Sequence, residues 1–176
     1  MEPKVYEHEL NLVALQGSLR GGITDVIVEE LVTHGTNQII RLDSDWKVTV
    51  KWELVGTLLD SSFFTFPGKW ILNAYLEGWG EDADEVDLMG DAVNGLPVMT
   101  SRTVVAANSI APGIPLETEW HFQETFTIHA ADNPDPGLYR LAVAITYRDE
   151  NDDPGPMAGF IEIPEMVQIY EPKKRP

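Results

Sequence analysis

Strict alternation of apolar and polar residues recurs along this chain and restricts it to β-structure. The cleanest instance is 46–55, where Trp46, Val48, Val50, Trp52 and Leu54 alternate with Lys47, Thr49, Lys51 and Glu53. Successive side chains of an extended strand point to opposite faces, so such a segment buries one face and wets the other. The same period predicts a strand from Leu116 to His129, with Leu116, Trp120, Phe122, Phe126 and Ile128 inward; Glu124 breaks the pattern and predicts a bulge or a sheet edge. Between 138 and 148, Tyr139, Leu141, Val143, Ile145 and Tyr147 share one face. The other face, with Leu138, Arg140, Ala142, Ala144 and Thr146, is small and largely apolar, which predicts a central strand, and Trp70 to Glu77 reads the same way. Weaker strands are predicted at 5–15, 36–43, 97–107 and 158–170, the last interrupted by Pro164. Thr24 to Gly35 stays open: its β-branched residues favour a strand, the preferred reading, while Glu29-Glu30-Leu31 ahead of Gly35 would suit a short helix.

Turn signals separate these runs: Pro67-Gly68, Asn94-Gly95, Pro112-Gly113, Asn133-Pro134-Asp135-Pro136-Gly137 and Pro154-Gly155. About eight or nine short strands at this spacing fold most naturally as an antiparallel all-β sandwich. At 176 residues the chain is long enough for one domain with a full core. Its expected divisions are an N-terminal strand or arm over 1–22, loosened by Gly17, Gly21 and Gly22, a sandwich domain over 23–172, and a basic tail over 173–176.

Asp135-Pro136-Gly137-Leu138-Tyr139 reads D-x-G-x-Y just before a strong strand. This resembles the tyrosine corner of immunoglobulin-like domains, in which the Tyr hydroxyl bonds back to nearby backbone. The resemblance implies that Asp135, Gly137 and Tyr139 are structural and that the fold is an immunoglobulin-like β-sandwich. It places Leu141 where antibody domains carry a cysteine, opposite a residue such as Val50, and offers Trp70 as the core tryptophan. With no Cys in the chain, that core must be held by packing alone. The absence of Cys also agrees with a reducing, cytoplasmic location.

The chain carries 29 acidic and 12 basic side chains, a formal net charge of −17. That balance argues against nucleic acid, whose phosphates need a clustered basic face. No apolar run approaches the ~20 residues of a membrane span, so no membrane partner is expected.

Several residues could carry function. Glu81, Asp82 and Asp84 belong to an acidic stretch following a strand, and Asp149-Glu150-Asn151-Asp152-Asp153 forms a second. Asp149, Asn151 and Asp153 have the alternating oxygen ligands that calcium takes, although Pro154 and Phe160 stand where an EF-hand needs glycine and glutamate. A solvated loop whose charges deter edge pairing is the preferred reading, and no cofactor other than calcium is indicated. Trp79, flanked by Gly78 and Gly80 at a strand end, can stack on a sugar or anchor a protein partner. Phe63 and Phe64, with Phe66, form an apolar knot suited to a subunit contact. The four histidines show no H-x-H pair, no G-x-S-x-G elbow occurs, and carboxylate pairs among 29 acids arise by chance. The expected function is therefore non-catalytic: a structural or protein-interaction module, through self-association or a protein partner. The alternatives are a calcium-dependent or carbohydrate-binding module using Trp79 and the acidic loops, and, more remotely, a small hydrolase with paired carboxylates.

Overall fold

The computed structural model describes residues 10–12, 17–31, 38–56, 69–80, 85–88, 98–105, 117–149 and 151–172. These contain ten strands: β1 (Leu10–Leu12), β2 (Gly17–Glu30), β3 (Ile39–Arg41), β4 (Trp46–Gly56), β5 (Lys69–Gly78), β6 (Glu85–Asp87), β7 (Val98–Val105), β8 (Glu117–Ile128), β9 (Gly137–Arg148) and β10 (Pro154–Tyr170). They form two five-stranded sheets, a front sheet ordered β1-β2-β4-β8-β7 and a back sheet ordered β3-β10-β9-β5-β6. Within them β2-β4-β8-β7 and β5-β9-β10 follow the ABED and CFG orders of immunoglobulin-like sandwiches. Pairing is antiparallel except between β3 and β10, which run parallel, a departure from the all-antiparallel expectation. Among the described residues no helix is long and apolar enough to cross a membrane.

The alternation of the sequence becomes the core. Trp46, Val48, Val50, Trp52 and Leu54 of β4 face Leu72, Ala74 and Leu76 of β5 and Leu141, Val143 and Ile145 of β9 in one buried cluster. Val50 and Leu141 are both fully buried in it, where other domains place a disulfide. Trp52 stacks on Phe122 with ring centroids 5.6 Å apart, and Trp70 meets Trp52 edge-on at 5.9 Å and Tyr147 at 5.5 Å. Each such pair adds about 0.5–1.5 kcal/mol beyond burial of area; the Trp52–Trp70 contact crosses between the layers, and the other two reinforce neighbouring strands within one sheet.

Two local expectations are corrected. Gly21 and Gly22 are no hinge: β2 pairs with β4 continuously from Leu19 to Ile23, and a Cβ at Gly21 would run into the Glu53 carbonyl oxygen, so the glycine allows a close backbone approach. Glu124 makes no bulge in the β4–β8 register, where it faces Val50; it sits one residue beyond the last described β7 partner, Gln123. The segment from Thr24 is strand through Glu30, paired with Trp46, as preferred from its β-branched residues. Pro164 does fall within a register shift of β10, between Glu162 and Met166.

Candidate functional site

The site lies at the end of the back sheet where β9 begins. Two side chains fix the loop entering β9. Tyr139 donates its hydroxyl to the Asp135 carbonyl at 2.6 Å, the corner bond expected from D-x-G-x-Y. Asn133 closes the end of the sandwich: its Oδ1 accepts the Trp46 indole N–H at 2.7 Å, and its Nδ2 donates to the carbonyls of Leu42 and Ser44 at 2.8 and 3.1 Å. Beside it, Asp45 Oδ1 accepts the Ala130 amide at 2.8 Å and Oδ2 lies 3.2 Å from His129 Nδ1. The Ala130 amide first, then His129, hold the Asp45 carboxyl below its ordinary range. The buried carboxylate of Glu30 accepts the Arg41 amide at 3.1 Å, tying β2 to β3 at the same end.

The loop so held forms one wall of an open groove of about 380 Å³. Its other wall is Gly78-Trp79-Gly80, which leaves β5 with the Trp79 amide bonded to the Leu138 carbonyl at 2.9 Å. Gly80 has φ of +151°, a conformation side chains rarely adopt. Trp79 is 68% exposed, with the Arg140 guanidinium 5.6 Å from its ring centroid. Arg140 also reaches Glu162 at 3.4 Å.

Trp79 is not isolated. Ile39 of β3 pairs with Gln168 of β10, Gln168 pairs with Leu138 of β9, and Leu138 bonds to Trp79, so these residues form a row across the sheet. Ile39 and Leu138 are each 46% exposed, whereas their neighbours Ile40 and Tyr139 are buried, so both point outward. A second groove of about 610 Å³, between Val26–Val28 of β2 and Ile39 and Met166, meets the first at Leu138. The large hydrophobic side chains exposed among the described residues are Ile39, Trp79, Leu138 and Phe160, all on the back sheet or its margin. On the front sheet the described side chains of β2, β4 and β8 form polar pairs: Lys47 with Glu29 at 3.0 Å, Lys51 with Asp25 at 3.1 Å, Thr49 with Thr125 at 2.9 Å, and His121 between Glu53 and Glu119 at 3.6 and 3.4 Å.

Other candidates fall elsewhere. Glu81, Asp82, Asp84, Phe63, Phe64 and the Asn94-Gly95 turn lie outside the described residues. Asp149, Asn151 and Asp153 sit in the β9–β10 turn, at the opposite end of β9 from Trp79. There Asp149 Oδ1 accepts the amides of Asn151 and Asp153 at 2.9 and 3.0 Å. Asp152 takes the left-handed φ of 68° and bonds to Lys69 Nζ at 2.9 Å, which lowers its pKa. Asp149 thus organises a turn, and among the described residues no three His, Asp or Glu converge as metal ligands. Among the described residues, Asp45 and Asp152 are the carboxylates displaced from the ordinary range, and both move downward. Sequence reasoning passed over Asn133, Ile39, Leu138 and Arg140. For Leu138 the signal was present, since alternation put it on the outer face of β9.

No family model matches the chain, and no curated protein matches it. Among solved structures, a Niemann-Pick type C2 protein from the Japanese carpenter ant is similar over 85% of this chain and 92% of its own, at 15% identity and a TM-score of 0.35. The all-β sandwich rests on its own strand order.

Proposed function

We propose that the protein is a non-catalytic interaction module of immunoglobulin-like type, contacting a protein partner through the outer face of its back sheet around Trp79 and Leu138. The observation that carries this reading is the row of Ile39, Gln168, Leu138 and Trp79 across the back sheet, three of them large, apolar and exposed, on a protein whose described front-sheet side chains on β2 and β4 form cross-strand ion pairs. Scattered exposed apolar residues need no explanation, whereas a contiguous row beside a groove marks a contact surface. Aromatic and Arg side chains such as Trp79 and Arg140 are also the types enriched at the centres of interfaces. The module needs no cofactor for this role, and its partner is a second copy or another protein.

A photo-crosslinking residue at Leu138, with Thr127 on the front sheet as control, tests the reading in cells that normally make the protein. We expect a covalent adduct from position 138 and none from 127, with mass spectrometry identifying the captured chain. Equal yields at both positions, or none at 138, would refute the contact face.

A further inference from the structure

Resting on that contact face, we infer that the groove beside Trp79 takes an extended peptide segment carrying arginine, the guanidinium stacking on the exposed indole while apolar neighbours lie along Leu138. Two features of the groove point the same way. First, its aromatic wall already accepts this chemistry from within the chain, since Arg140 lies 5.6 Å from the Trp79 ring centroid while the residue remains 68% exposed. A planar, weakly hydrated guanidinium is the cation best suited to such a ring. Second, Glu77 and Glu85, the residues that precede Gly78 and Val86 of the groove lining, add negative charge beside it. Glu77 of β5 stands directly opposite Glu85 of β6, a like-charge pairing that weakens a sheet. Asp135 lies in the groove wall, and Glu77, Glu85 and Asp135 form no ion pair with any described residue. Arg140, the cation across from Glu77, is shared with Glu162. An incoming guanidinium would relieve the Glu77–Glu85 repulsion and leave the apolar wall for its flanking residues. On the front sheet, by contrast, Lys47 and Lys51 each face a carboxylate, Glu29 and Asp25.

The test uses the full chain and three labelled octapeptides that alternate valine with arginine, glutamine or glutamate, read by fluorescence anisotropy. The arginine peptide is expected to bind, more weakly as salt rises from 0.05 to 0.3 M by about the factor that screening over a Debye length implies. Trp79→Ala should weaken it about fivefold or more, and Glu85→Gln about two- to fivefold. Thr127→Ala, on the front sheet, should leave it unchanged, and circular dichroism should show all variants folded. Binding that survives Trp79→Ala would be general attraction to an acidic protein and would overturn the inference. Equal binding of the glutamine or glutamate peptide would overturn it too. If no peptide binds while the Leu138 crosslink still captures a protein, the arginine inference fails and the contact face stands; if both fail, neither stands.

Discussion

Asn133→Ala should be among the most damaging single changes outside the apolar core, although Asn133 lies in a loop between strands. Its amide makes three bonds at once, to the Trp46 indole N–H and to the carbonyls of Leu42 and Ser44. Trp46 is wholly buried and Ser44 nearly so, and water cannot replace the lost partner at the indole without opening the end of the sandwich. An unsatisfied buried donor costs about 1–3 kcal/mol, and partly accessible carbonyls cost less, so the total is about 3–4 kcal/mol. Against an ordinary stability of about 5–15 kcal/mol this is a large fraction. At about 2–4 °C per kcal/mol for a chain of this size, the thermal midpoint should fall by roughly 6–16 °C. Asn133→Asp should be no milder at neutral pH, because it points a carboxylate oxygen at two carbonyls. Urea denaturation should show a shifted midpoint with an unchanged slope. Trp46→Phe removes the other partner, and the double-mutant cycle should give a coupling of about 1 kcal/mol or more. A loss under about 1 kcal/mol for Asn133→Ala, or additivity within about 0.5 kcal/mol in the cycle, would refute the role assigned to this amide.

Two further changes probe the same end of the molecule. Tyr139→Phe removes the donor of the 2.6 Å corner bond to Asp135, and should cost about 1–2 kcal/mol by urea denaturation, because the Asp135 carbonyl can partly recover water; an unaltered midpoint would dismiss the corner. Asp45 has a folded-state pKa below its unfolded value, owing first to the Ala130 amide and then to His129. Its contribution is therefore complete above about pH 4 and lost as pH falls through the depressed value. The gap in melting temperature between the protein and Asp45→Asn should be open at pH 6 and narrow steadily below pH 4, and a gap of constant size down to pH 3 would contradict the assignment.

What could be read in the sequence was what depends on nearest neighbours or on one buried face. The strands at 46–55 and 138–148 were legible because a face packed against the other sheet tolerates no polar residue, and β4 and β9 bury those faces. The corner was legible because donor and acceptor are four residues apart. The Asn133 bond to Trp46 spans 87 positions, and an Asn beside Pro134 has an ample local explanation as a turn residue. Glycines in β2 suggested looseness because their composition is that of linkers. At Gly21 the absent side chain instead admits the backbone of Glu53, a fact about a neighbour that no local pattern contains. The outward apolar residues of β9 were seen and explained by a central position in the sheet. Centrality protects the edges of a strand, and does not cover the outer face of a two-layer fold, so Ala142 is buried by its neighbours while Leu138, near the strand's end, stays open.

The restraints on the loop and the exposure of the groove belong to one design. Exposed apolar area binds weakly if the surface must first be ordered, because fixing side chains and loops on association consumes part of the gain. Here the wall facing Trp79 is fixed before any partner arrives: Asn133 anchors one end of the loop to the 42–46 turn, Tyr139 anchors the middle, and the Trp79 amide is bonded across to Leu138. The bonds that close the sandwich therefore also set the shape of its proposed contact face. Loosening them by Asn133→Ala would degrade binding through disorder of the wall, while Trp79→Ala would remove the contact and leave the wall in place. A destabilised protein and a partnerless one are separable outcomes because the amide is spent on Trp46 and the 42–44 carbonyls, away from the groove that the indole lines.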